Sequence, residues 1–225
     1  MFTFELPCGL EAEIREMTGA EEEILTNQRL IRNGSAINQV LKNCLVRLGD
    51  NDSPTMNDVL DLLSGDRLAL LVELRRVSLG SEVELELVCT NPTCREANPF
   101  TVDLGALETK PYGDAREFEF TLPSSNRTVR FRYLDGHMEK RLATLKEPSI
   151  ASAMTMRIID IDGKPPSKRV MQDMSLRDRQ ALRAEMDRVN AGIDTAITVD
   201  CEACGERLRT RLEAEPGFLF PGAAL

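Results

Sequence analysis

The chain has 225 residues, a formal net charge of −9 and 42% apolar residues, enough for one large domain or two small ones with a hydrophobic core, and too apolar for a disordered chain. No window approaches the roughly 20 apolar residues that span a bilayer, and the first residues lack the basic and apolar regions of a signal peptide. The acidic balance argues against nucleic acid, whose non-specific binding depends on Lys and Arg neutralising phosphates, so neither a membrane nor a nucleic-acid partner is expected.

Phe2, Phe4 and Leu6 alternate with polar residues, Pro7-Cys8-Gly9 turns the chain, and Leu10, Ala12 and Ile14 return, which predicts an opening hairpin. Thr18 and Glu21 have the spacing of a capping box, so a helix follows. Ile37, Val40, Leu41, Cys44, Leu45 and Leu48 fall at helical spacing and predict a second helix. After the polar breaker Gly49 to Pro54, a long helix runs from about Asp66 to Val77, and Gly80 suits the turn out of it. Val83, Leu85 and Leu87 then lead to Cys89, and Phe100, Val102 and Leu104 return from Cys94, a second hairpin.

The same order then repeats. Phe118, Phe120 and Leu122 lead into Pro123 to Asn126, and Val129, Phe131 and Tyr133 come back. Asp135 stands at the helix cap, a counterpart helix runs from about Ile150 to Ile159, and Asp162 to Pro166 breaks it. The long helix reaches Val189, and Gly192 precedes a hairpin tipped by Cys201 and Cys204. Asp66 to Cys89 aligns without a gap on Asp178 to Cys201. The shared residues are Asp66/Asp178, Arg67/Arg179, Ala69/Ala181, Leu70/Leu182, Glu73/Glu185, Arg76/Arg188, Val77/Val189, Gly80/Gly192 and Cys89/Cys201. Phe2 to Pro7 likewise echoes Phe118 to Pro123. A period this long marks a duplicated subdomain rather than a solenoid. The expected fold is α+β, an internally duplicated hairpin–helices–hairpin subdomain with pseudo-twofold symmetry. Residues 1–108 form the first repeat, and 109–225 the second repeat with an apolar tail, the two joined in one compact unit.

Six cysteines are too few for a disulfide-dense scaffold. Cys8 and Cys44 stand alone, while Cys89, Cys94, Cys201 and Cys204 pair by spacing at two equivalent hairpin tips. A pseudo-dyad would converge them into one zinc-ribbon-like four-thiolate site, closed and therefore structural rather than catalytic. The expected ligands are those four cysteines and the expected cofactor is structural zinc. Two local disulfides, or metal-free thiols, are the alternatives. The first turn, Cys89 to Cys94, is wider than the second and has no glycine matching Gly205.

The sole histidine, His137, belongs to no visible constellation and reads as a surface residue. Asp66-Arg67 and Asp178-Arg179 read as helix-start residues, with Glu73/Arg76 and Glu185/Arg188 paired three apart. No nucleophile elbow, phosphate loop or histidine metal motif is present, so no enzymatic activity is expected. The apolar tail with Phe218, Leu219 and Phe220 is too broken by Pro and Gly for a helix and must lie in a groove. That groove belongs either to its own core or to a partner.

Gly65-Asp66-Arg67 opening a helix, Leu74-Arg75-Arg76 before Gly80, an acidic strand and a cysteine pair form one half of a pattern. Ile161-Asp162-Gly163, Leu176 to Arg179 and Cys201-Glu202-Ala203-Cys204 form its echo. The pattern resembles the baseplate hub and tail-assembly proteins of contractile-tailed phages, the T-even-like baseplate family. That resemblance covers about two-thirds of the chain. It implies a structural or assembly-chaperone role in the tail baseplate and other tail proteins as partners. The implied location is the virion or the bacterial host cytoplasm during assembly. The competing reading is a zinc-ribbon adapter that binds nucleic acid or transcription machinery, which the acidic balance disfavours.

Overall fold

The computed structural model describes residues 1–145, 149–212 and 216–219. Strands β1 (Phe2–Glu5) and β2 (Glu11–Ile14) form the expected hairpin, with Phe4 opposite Ala12. Helices α1 (Gly19–Thr26), α2 (Gln28–Arg32) and α3 (Ala36–Cys44) follow. The capping box is present at α1: Thr18 accepts at the helix start, and Glu21 reaches back to the Thr18 backbone N–H.

The chain then departs from the expected second helix. Leu45 and Leu48 lie not on α3 but on strand β3 (Leu45–Leu48), which pairs antiparallel with β2. Leu45 is the helix C-cap, with φ −77° and ψ 114°. A short apolar run fits helical and extended periodicity equally well. The free edge of β2 decides it, because pairing there satisfies backbone groups that a longer helix would leave bare at that edge. The opening element is therefore a three-stranded sheet, not a hairpin.

A short helix, α4 (Met56–Asp61), precedes the long α5 (Ser64–Leu79). Gly80 closes α5 at φ 93°, a conformation open to glycine at little cost. Strands β4 (Glu82–Val88) and β5 (Ala97–Asp103) make a separate two-stranded ribbon. A connecting strand, β6 (Thr109–Lys110), leads to β7 (Glu117–Thr121) and β8 (Thr128–Arg132), followed by helices α6 (Gly136–Ala143) and α7 (Ile150–Arg157). Strand β9 (Ile158–Ile161) replaces the end of the expected counterpart helix and joins β8, for the same reason as β3. Helices α8 (Lys168–Asp173) and α9 (Leu176–Val189), strand β10 (Gly192–Ile193), the ribbon β11 (Ala196–Asp200) with β12 (Arg207–Arg211), and the short α10 (Pro216–Leu219) complete the order. The fold is mixed α and β with small sheets.

Some local features recur along the chain. The sheets β1-β2-β3 and β7-β8-β9 are each antiparallel with a register shift, at Glu13/Ile14 and at Arg130/Phe131. Asp66 accepts the Cys8 backbone N–H at 2.9 Å, and Asp178 accepts that of Ser124 at 2.7 Å, so each long helix is tied to its hairpin turn. Arg67 donates to the Val59 carbonyl and Arg179 to that of Met171, both at 2.9 Å.

Two main hydrophobic clusters lie beneath these sheets. The first holds Leu6, Ile14, Val40, Leu41, Cys44, Leu70 and Leu74. The second holds Leu122, Val129, Phe131, Met154, Ile161 and Leu182. Contrary to the expectation of no helix in the tail, Pro216–Leu219 forms the one-turn α10, since Pro is tolerated at a helix start. Its Leu219 completes the first cluster at 0% exposure, with Phe218 packed beside it. Of the two grooves open to the tail, this one belongs to the protein's own core. That removes Leu219 as a free docking side chain, and Phe220 lies outside the described residues.

Between the clusters the backbones cross closely. Ser64 N–H donates to the Leu134 carbonyl at 2.8 Å, and Gly136 N–H to that of Leu62 at 3.2 Å. A Cβ on Gly65 would stand 2.5 Å from the Ala191 carbonyl oxygen, and one on Gly192 would stand 2.6 Å from the Gly65 Cα. Only paired glycines allow that approach.

A candidate four-thiolate centre

Strand alternation aims the thiols. Along β4 the exposed residues are Glu82, Glu84, Glu86 and Val88, and the covered ones Val83, Leu85 and Leu87, a period of two that carries Cys89 inward. On β11, Ile197 and Val199 are the covered residues, and the same period carries Cys201 inward. Leu87, Val199 and Leu208 pack with Cys89, Cys94 and Cys201 into a third, small apolar cluster.

Each tip is a tight knuckle. Cys89 N–H donates to the Glu96 carbonyl and Cys201 N–H to that of Glu206, both at 2.8 Å. Gly205, just after Cys204, takes φ 73°. The first knuckle reaches the same left-handed backbone without a glycine, because Arg95, just after Cys94, takes φ 55°. Asn91 braces the wider turn, accepting the Thr93 N–H at 3.0 Å.

The four sulfurs converge. Cys89 Sγ lies 3.6 Å from Cys204 Sγ, and Cys94 Sγ lies 3.8 Å from Cys201 Sγ. All four lie within 4.8 Å of one another. Both short separations run between the hairpins, and all six cysteines are free thiols. A tetrahedral zinc–thiolate site with bonds of about 2.3 Å has sulfur–sulfur edges of about 3.8 Å, so the spacing fits that ion.

Electrostatics prepare the thiols unequally. Burial pushes the Cys89 thiol up to about 12. Burial also raises that of Cys201, but backbone N–H groups of Cys204 and Ala203 and the neighbouring thiols outweigh it, bringing it down to about 7. Cys201 is thus readier than Cys89 to become a thiolate, the form that binds metal.

Asn98 is the residue that sequence reasoning missed. It sits at a covered position of β5 and is 5% exposed. Its amide donates to the Glu96 carbonyl at 2.9 Å, and its carbonyl accepts the Glu202 N–H from the other knuckle at 3.1 Å. A lone polar residue in register with Phe100 and Val102 was the available signal.

The other candidate positions serve the frame. His137 is surface-exposed and lies 2.9 Å from Asp61. Glu73/Arg76 and Glu185/Arg188 form the expected pairs, each at 2.6 Å. Arg67 does more than start a helix. Buried at 3% exposure, it donates to Glu139 on α6 at 2.7 Å and to Asn38 on α3.

The chain is thus a mixed α and β protein with small sheets and a four-cysteine cluster between two hairpin tips. The family model described as T4 bacteriophage base plate protein matches residues 1–213. The chain belongs to that family, and membership supports a structural role in a phage baseplate, in the virion tail, alongside other tail proteins. No curated protein and no solved structure matches it. Among the described residues no helix is long and apolar enough to cross a membrane.

Proposed function

We propose that this protein is a structural or assembly-chaperone component of the hub region of a contractile tail baseplate. It acts through protein contacts on a frame clasped by one zinc ion bound to Cys89, Cys94, Cys201 and Cys204. The family match over residues 1–213 carries the baseplate reading. The convergence of four sulfurs within 4.8 Å supports the metal. Zinc bound there supplies folding energy rather than chemistry, because four thiolates close its shell.

The reading includes an internal duplication of two subdomains, residues 1–108 and 109–225. The recurring Asp66–Cys8 and Asp178–Ser124 bonds support it, as do the matched register shifts of the two sheets.

Affinity capture from phage-infected cells tests the role, and tail proteins are the expected catch. Recovery of DNA or polymerase without tail proteins sinks it. Elemental analysis tests the metal, with about one zinc per chain expected in the native protein and none in a Cys201→Ser/Cys204→Ser variant. Native protein without metal overturns the clasp.

A further inference from the structure

The two ribbons that carry the thiols also carry opposite charge. Glu82, Glu84 and Glu86 line the exposed face of β4, and the cross-strand partner of Glu82 on β5 is Asp103, also exposed. Arg207, Arg209 and Arg211 line the exposed face of β12, where the only acid on that face is Asp200, beside Arg207. None of the three glutamates, nor Arg209 or Arg211, enters an ion pair among the described residues.

Within one molecule these rows cannot meet. The opposite faces of the ribbons turn toward each other, where Leu87 packs with Val199 and Leu208 around the thiols. Alternation then points the glutamates and the arginines away from each other, on opposite sides of the clasp. Both rows follow a strand, so their charges recur at the same spacing of about 6.8 Å, two residues apart. Val88, 55% exposed, extends the acidic face with apolar surface.

Free ribbon edges need charge to discourage edge pairing, but mixed signs serve that purpose as well as segregated ones. Segregation broken only by Asp200 is what a charge-complementary interface calls for. We propose that the acidic ribbon face of one copy docks on the basic ribbon face of the next, making a head-to-tail contact between copies of this chain. Such a heterologous contact closes into a ring or extends as a filament. The inference stands on ribbon geometry and charge, and holds or fails independently of the baseplate role.

Sedimentation of the full chain, from about 1 μM to about 100 μM, tests it. The expected result is association at about 0.05 M salt, weakened at least about ten-fold at about 0.5 M. A Glu82→Lys/Glu84→Lys/Glu86→Lys variant, and separately an Arg207→Glu/Arg209→Glu/Arg211→Glu variant, should each stay monomeric. Mixed together they should associate, since one then carries two basic faces and the other two acidic ones. A monomeric wild type at every concentration overturns the proposal. So does association of both variants alone at wild-type strength. Should a reversed variant fail to fold, Glu84→Gln and Arg209→Gln, which leave the surface nearly unchanged, should each weaken association in the same assay. If neither does, the proposal falls.

Discussion

Arg67 and Glu139 join the two halves of the chain through a 2.7 Å contact between a fully enclosed guanidinium and a carboxylate at the protein's edge. Arg67 also serves Val59 and Asn38, so Arg67→Ala would strand three acceptors. The expected cost is about 3 kcal/mol, with a fall in Tm of roughly 9 °C for a chain of this size. Glu139→Gln, which keeps a hydrogen-bonding group, should cost about 1 kcal/mol. Urea unfolding of the two variants measures the difference, and equal losses would show that the contact is not the anchor.

The meeting of Gly65 with Gly192 should tolerate no side chain. Gly65→Ala places a methyl group 2.5 Å from both the Ala191 carbonyl oxygen and the Tyr112 hydroxyl, the first of them backbone that cannot swing aside. A loss of about 2 kcal/mol or more follows from overpacking. Gly113→Ala, where a Cβ meets nothing within 4 Å, is the matched control and should change stability little.

Glu21 titrates far below its usual range. The Arg15 guanidinium holds its carboxyl down to about 2 from 4.5, despite burial and with help from Thr18. A depressed folded-state pKa stabilises the protein above the unfolded value, and that stability drains away as pH falls through the folded one. Acid unfolding should therefore steepen between pH 4.5 and about 2. Glu21→Gln should flatten that slope and cost about 2 kcal/mol at neutral pH. An unchanged acid limb would show that the pair contributes nothing.

Cys44 should be silent to thiol reagents in the native state. It is 1% exposed, and burial pushes its thiol up to about 12. Timed labelling with mass spectrometry should find it modified only on global unfolding. The clasp cysteines should become reactive as soon as a chelator is added, if the bound zinc is what protects them. Cys44 labelling at the same rate as Cys204 would contradict this placement.

The thiol centre was legible because strand alternation is local, so reading Val83, Leu85 and Leu87 was enough to aim Cys89. The Thr18–Glu21 cap was legible for the same reason. Strand β3 was not, because Leu45 to Leu48 fits a helix until β2, far back in the chain, offers an edge. The ties of Arg67 to Glu139 and of Asn98 to Glu202 join segments far apart in sequence, and no local pattern announces them. The left-handed turn at Arg95 was hidden because it uses a residue that normally avoids it.

The seat of Leu219 bears on how the protein is made. Leu6 leaves the ribosome well before Leu219, yet they share one apolar cluster. Throughout synthesis the early half therefore carries an unfilled place in its interior. Domains ordinarily finish folding in the order they emerge. Here the cluster around Leu6 closes only after Leu219 has been translated, so a chain stalled short of Leu219 leaves that earlier-made cluster the least secure.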